Sequence, residues 1–277
     1  MLFRSGFGGP QGMFGIESVI EDIADTLGKD PLEVRKLNLY KDPAISGTPD
    51  TMTTQYNQLI EDWVGDKVMD QVEAQAQYGQ RRAQVQAFNA VNTRRKRGLA
   101  LVPLKFGISF TATHLNQGGA LLVIYMDGSV SVNHGGTEMG QGLNTKMAQV
   151  CADGLGISVD KVRVTATDSQ KVPNASATSA SSGADINGAA IMNATAQMRE
   201  RLKPVAARLL GCDAEAVTFA VNAAHGGGKS VAWADLTKQA WLDRVGLSVT
   251  GFYMTPEIKY DRSEEHTSEL QSRETIS

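Results

Sequence analysis

The densest chemistry lies in His134-Gly135-Gly136-Thr137-Glu138-Met139-Gly140-Gln141-Gly142. The run joins a strand-like segment to a helical one. Glycine lets backbone N–H groups approach an anion, and a helix N-terminus adds a favourable dipole. Gln141 brings an amide that both donates and accepts. A second run, Pro173–Gly183, is made of small methyl and hydroxyl side chains and leads into another helix. Small residues allow a bulky ligand to come close to the backbone. A third stretch, Gly6-Phe7-Gly8-Gly9-Pro10-Gln11, sets one aromatic ring among glycines. Taken singly, each run is also compatible with an ordinary turn or linker. Gly228-Lys229-Ser230 approaches a phosphate-binding loop, but Ala223 stands where that pattern needs its first glycine, so a glycine turn is the better reading.

Several classes of chemistry lack their residues. His114, His134 and His225 are not at metal-ligand spacing, and His266 lies in the tail. Cys151 and Cys212 are the only two cysteines. They exclude a disulfide scaffold or a cysteine-rich metal site within the chain and point to a reducing compartment. No nucleophile elbow occurs. The 277 residues carry 27 Lys+Arg against 30 Asp+Glu, a net charge of −3, which argues against nucleic-acid binding through net charge. The run Arg94–Arg97 reads as a solvated turn. Apolar runs such as Ala120–Met126 are too short to span a bilayer.

These loops need elements to hold them. Ile16, Val19, Ile20, Ile23 and Leu27 share one helix face, with Gly28 placed to end the helix. Asp30-Pro31-Leu32-Glu33 reads as a helix start, so Leu32–Tyr40 is a short second helix. Residues 56–92 read as two or three helices. From Gly98 the texture becomes β-rich. Leu99–Thr113, Gly119–Met126, Ser129–His134, Val162–Thr167 and Leu247–Thr255 are expected strands, with Asp127-Gly128 as a hairpin turn. Gly140–Gly154 and Ala184–Leu210 are expected helices, the latter broken near Pro204. Ser230–Arg244 is expected as a helix or a turn plus helix.

Both ends look foreign. Arg262–Ser272 reads RSEEHTSELQS, the translation of a common sequencing adapter, and the opening MLFRS fits the reverse adapter. The expected organisation is an artefact at 1–5, a first segment at 6–97, a second at 98–261 and an artefact at 262–277.

Taken together, FGGPQGM, KFGISFT, LNQ, DGSV, HGGTEMGQGL and the VPN-to-Ser181 run occur in an order that resembles the molybdenum subunit of the xanthine oxidase and aldehyde oxidase family. The resemblance covers nearly all of Gly6–Asp261 and only the middle of that subunit. It implies an α+β fold made of mixed α/β molybdopterin-binding domains, here incomplete. It implies a hydroxylase acting on hypoxanthine and xanthine, of the xanthine dehydrogenase type. Its cofactor would be molybdenum on molybdopterin, with 2Fe-2S and FAD on a partner subunit or domain, NAD as acceptor, and a cytoplasmic dimer of heterodimers. Gly140 and Gln141 would contact the cofactor, as would Thr178, Ala180, Ser181 and Gly183, with the Ala180 backbone beside the metal. Phe7 and Phe110 would hold the purine between two rings, and Thr111 would touch it. The family's glutamate base, and its substrate-orienting glutamate and arginine, have no match here. The isolated chain is therefore expected to be inactive, and Glu138 to be structural or to support residues that touch the site rather than to act as the base. Arg4 is not equated with the family's arginine near the metal, because Ser5 breaks the spacing. The resemblance leaves room for an aldehyde oxidase or another hydroxylase, and for a non-catalytic cofactor-binding or assembly protein. A chain cut through its domains is further expected to expose apolar faces.

Overall fold

The computed structural model describes residues 8–40, 53–54, 59–60, 63–104, 107–172, 174–256 and 258–260. Phe7, Pro173 and both suspected adapter segments lie outside the described residues. The chain forms two compact units, residues 1–107 with 259–277, and residues 108–258.

The described part of the first unit is helical. Helix α1 spans Gly9–Leu27 and stops where Gly28 turns left-handed at φ 64°. Helix α2 spans Pro31–Leu37, and the Asp30 side chain caps it by accepting the Leu32 N–H. Helices α3 (Gly65–Gln75) and α4 (Tyr78–Val91) follow. Leu32, Met69 and Tyr78 form a small core. Arg35 is buried and bonds Glu17 and Glu21 of α1 at 2.6 Å each. The apolar face of α1 turns outward, with Ile16, Val19, Ile23 and Leu27 all 42% or more exposed. Amphipathic spacing there marks a face that nothing among the described residues covers.

The second unit carries the larger core. Strands β1 (Gln117–Ile124), β2 (Val130–His134), β3 (Val162–Val164) and β7 (Ser248–Met254) form a sheet in the order β3-β2-β1-β7. β1 pairs antiparallel with β2 and β7, while β2 and β3 run parallel. Gly128, at φ 86°, turns the β1–β2 hairpin. Helices α5 (Leu143–Leu155) and α6 (Gly183–Leu210) bury Leu143, Met147, Ile191 and Met198 with Ala120, Leu122, Val130 and Val132 of the sheet. Strands β4 (Thr218–Ala220), β5 (Ala223–Gly226) and β6 (Lys229–Ala232) make a second, antiparallel sheet, followed by α7 (Trp233–Leu242). The Trp233 indole N–H donates to Gly128 O at 2.9 Å, tying this module to the hairpin.

The free edge of β7 is closed by one helix face. Asn193 accepts the Phe252 N–H, Gln197 donates to Thr250 O, and Arg201 donates to Ser248 O. These three residues sit four apart on α6, so one helical stripe satisfies backbone groups that an open sheet edge would leave to another chain.

Three expectations need correction. Leu99–Thr113 contains no strand among the described residues: it is irregular and ends in a single 3-10 turn, Thr113–Leu115. Its apolar residues gave a β pattern, but no described neighbour offers a ladder. Helix α6 runs unbroken through Pro204, because packing of Leu202, Val205 and Ala206 in the core outweighs the lost hydrogen bond. The segment expected as a helix or a turn plus helix from Ser230 begins as β6 and then turns helical at Trp233, and the second sheet leaves no period in the sequence because its strands are only three or four residues long. The glycine turn expected around Gly228 is the β5–β6 hairpin, with Gly227 and Gly228 at φ 57° and 72°.

Candidate functional site

The glycine loop and the small-residue loop meet at one end of the main sheet. Ala120 pairs with His134, so the start of β1 and the end of β2 share an edge. Leu143 at the start of α5 packs on Gly136, and Ile186 in the first turn of α6 packs on Gly118. Two helix N-termini therefore approach the carboxyl end of the parallel pair β2–β3, the position where open α/β sheets place ligands.

Gly135 and Gly136 serve close packing. A Cβ on Gly135 would stand 2.5 Å from Ala175 Cβ, and one on Gly136 would stand 2.5 Å from Leu143 and 2.9 Å from Asn187 Nδ2. Hydrogen bonds then stitch the loops together. Thr137 N–H donates to Thr178 Oγ1 at 2.8 Å, Ser176 Oγ donates to Gln117 O at 3.1 Å, and Thr167 Oγ1 donates to Gly136 O at 2.6 Å. The crevice between the loops is narrow, with a volume of about 10 Å³, and is walled by Gly118, Gly135, Ala175, Ala177, Thr178 and Gly183, among others. A larger open cleft, about 670 Å³, lies around Tyr125, Asp127 and Ser129 at the opposite end of β1.

The two loops differ in which amides remain open. In the glycine loop, the Glu138 carboxylate accepts N–H groups from Gly140, Gly142 and Asn144 at 2.8–3.0 Å. These amides, led by that of Asn144, hold the Glu138 carboxyl below its usual range. Gln141 is turned onto its own loop, donating to Thr137 O at 2.9 Å and accepting Met139 N–H at 2.5 Å. The side chain of Glu138 thus occupies the anion position at the start of α5. In the small-residue loop, the amides of Ala180, Ser181 and Gly183 have no acceptor among the described residues. Ala180 and Ser181 are consecutive left-handed residues, at φ 51° and 58°. Such a pair costs on the order of 1–3 kcal/mol per residue and persists where the surroundings enforce it. Open amides, small side chains and the dipole of a 28-residue helix suit a broad anionic group at this loop.

His134 locks the corner. It is buried, its Nδ1 accepts Gly136 N–H at 3.1 Å, and its Nε2 faces Asn144 Oδ1 at 3.1 Å. This network assigns the proton to Nε2 and a neutral ring. Burial pushes its pKa below the ordinary 6.5, against smaller upward effects of Asn144 and Glu138. The unfolded chain therefore takes up this proton first as pH falls. Stability from His134 is complete above about 6.5 and declines below it, towards the depressed folded pKa. Urea midpoints at pH 7.5 and 5.5 should differ more in the wild-type chain than in His134→Gln.

Phe110 and Thr111 precede β1, Phe110 half-buried and Thr111 exposed. Sequence reasoning gave no role to the residue that holds Phe110, Asn116. It is 2% exposed, accepts Phe110 N–H at 2.9 Å and donates to Phe110 O at 3.0 Å. Sequence reasoning missed Asn187, whose Nδ2 donates to Gly183 O at 2.7 Å while pressing on Gly136. The available signal was an amide side chain beside an apolar strand and one in the first turn of an apolar helix. Among the described residues no group of three His, Cys, Asp or Glu could hold a metal, and no helix is long and apolar enough to cross a membrane.

Comparison with known proteins decides the family. Two models, each described as a molybdopterin cofactor-binding domain, match residues 71–273 and 2–39. This chain belongs to the molybdopterin cofactor-binding domain family. It is 44% identical to the xanthine dehydrogenase of Drosophila subobscura over 255 residues, 92% of this chain and 17% of that one. It is also 44% identical to the nicotinate hydroxylase of Emericella nidulans over 258 residues, again 92% and 17%. The chain thus spans about 17% of the length of these relatives. In fold it resembles the reconstituted CO dehydrogenase from Oligotropha carboxidovorans, with TM-score 0.76 at 21% identity, covering 93% of this chain and 34% of that one. The mixed α and β architecture is that of the molybdopterin cofactor-binding family.

Proposed function

We propose that this chain is a segment of the molybdenum-cofactor subunit of a xanthine dehydrogenase, converting hypoxanthine and xanthine to urate. Residues 6–97 would close a first cofactor-binding domain and its helical connection, and residues 98–261 would open a second. The observation that carries the reading is the small-residue loop, whose open amides and strained Ala180–Ser181 pair stand at the head of α6. When bound, the molybdenum–pterin group supplies the oxidative hydroxylation of a purine C–H, with electrons leaving to Fe-S, FAD and NAD in a partner subunit or domain. This chain's residues would bind and orient. Thr178, Ala180, Ser181 and Gly183 would hold the cofactor, through N–H groups and the hydroxyls of Thr178 and Ser181. The Ala180 backbone would lie beside the metal. Gly140 and Gln141 would reach the cofactor from the glycine loop, Gln141 by exchanging its contacts to Thr137 and Met139. Phe110 and Phe7 would grip the flat substrate, with Thr111 at its edge. A positioned proton acceptor would come from outside residues 6–261, so the isolated chain would not turn over. Cys151 and Cys212 are unpaired, which accords with a cytoplasmic setting.

The test is the complete protein. It should copurify with molybdenum and pterin and oxidise xanthine, whereas the 277-residue chain should not. Absence of pterin from the complete protein would sink the reading. A second reading, a hydroxylase of another flat heterocycle, is favoured by the equal 44% identity to a nicotinate hydroxylase. Activity on nicotinate without activity on xanthine would select it.

A further inference from the structure

We propose that Asn116 is the positioning residue for Phe110, setting the ring that holds the substrate while contacting neither substrate nor cofactor. This rests on the reading of Phe110 given above. The geometry is that of a peptide group imitated by a side chain. Asn116 Oδ1 takes the Phe110 N–H and Asn116 Nδ2 returns a bond to Phe110 O, so both backbone polar groups of Phe110 end on one amide. The same Nδ2 reaches Thr113 O at 3.2 Å, closing the turn from both sides.

Asn116 is itself anchored. Its C=O accepts Thr255 N–H at 2.9 Å, its N–H donates to Thr113 O at 3.0 Å, and the next residue, Gln117, opens β1. The sheet therefore dictates where Phe110 sits. Two further bonds in the loop are local, Leu115 N–H to Ala112 O at 2.9 Å and Gln117 Nε2 to His114 O at 2.6 Å. Thr111, Ala112 and His114 are exposed, and none of residues 108–115 belongs to the main core, which begins at Ala120. Loosening Asn116 should free the Phe110 backbone without opening that core. A buried amide with both ends bonded tolerates little substitution, since each lost partner leaves a polar group unsatisfied. A ring displaced by about 1 Å can cost about a hundredfold in rate.

The experiment uses the complete holoenzyme. Unsubstituted enzyme is assayed first; if it oxidises no purine, the functional reading fails before Asn116 is touched. Asn116→Asp then keeps shape and acceptor but faces the carbonyls of Phe110 and Thr113 with a carboxylate. The expected result is a fall of about ten- to hundredfold in kcat/KM for the purine. Most of it should appear in KM, with molybdenum and pterin content unchanged. Phe110→Leu and the double variant complete a cycle. If Asn116 acts through the ring, Asn116→Asp adds little once Phe110 is gone. Should the carboxylate prevent folding, Asn116→Ser carries the same cycle. Additive effects, an unchanged KM, or loss of pterin in both variants would overturn the proposal and leave Asn116 as a structural residue.

Discussion

Replacing Ser181 by Asp in the complete protein is expected to remove most of the bound pterin and molybdenum while leaving the fold intact. Ser181 is exposed and left-handed at φ 58°, and its amide has no acceptor among the described residues. Asp tolerates the left-handed region better than most residues, so the backbone need not move. The new carboxylate would stand among amides that are open for an anion, and would repel or replace one. A loss of about tenfold in cofactor content corresponds to about 1.4 kcal/mol, a modest demand on one misplaced charge in a partly enclosed site. Ser181→Ala serves as the control for the hydroxyl alone. The readout is molybdenum by mass spectrometry and pterin by fluorescence, beside a circular-dichroism check of fold. Full cofactor content in Ser181→Asp would remove this loop from the cofactor site.

Gly251→Ala should be the most damaging single methyl in the second unit. Gly251 pairs with Ala120 in the sheet, and α6 crosses directly over it. A Cβ there would sit 2.0 Å from Ala190 O, 2.8 Å from Ala194 N and 2.9 Å from Ala194 Cβ. Two of these are backbone atoms of a packed helix, which no rotamer change can relieve. The helix would have to lift from the sheet, taking its edge bonds to β7 with it. A loss of roughly 3 kcal/mol or more is expected in urea unfolding of the chain. Gly12→Ala, in open space on α1, should be neutral or better in the same assay. Similar midpoints for both variants would contradict the close helix–sheet approach.

The sequence alone determined the local events. Gly28 ends α1, Asp30 caps α2, and Asp127-Gly128 turns the first hairpin, because each follows from one residue's own backbone and side-chain preference. It also picked out the two loops, whose glycine and small-residue runs are visible without knowing what they face. Tertiary structure decided what those residues do. Gly135 and Gly136 are small because Ala175, Leu143 and Asn187 press on them, and those neighbours are remote in the chain or across a turn. The amides at Gly140 and Gly142 look open in the sequence, yet Glu138 fills them, and the open ones lie at Ala180, Ser181 and Gly183. Asn116 bonds Phe110 close by in the chain, but its own place is fixed by the remote Thr255, whose N–H it accepts. Pro204 stayed helical because the surrounding core outweighed its own preference. Periodicity and turn chemistry read the neighbours a residue has along the chain. Packing, hydrogen-bond partners and the fate of each amide depend on neighbours that only the completed fold supplies.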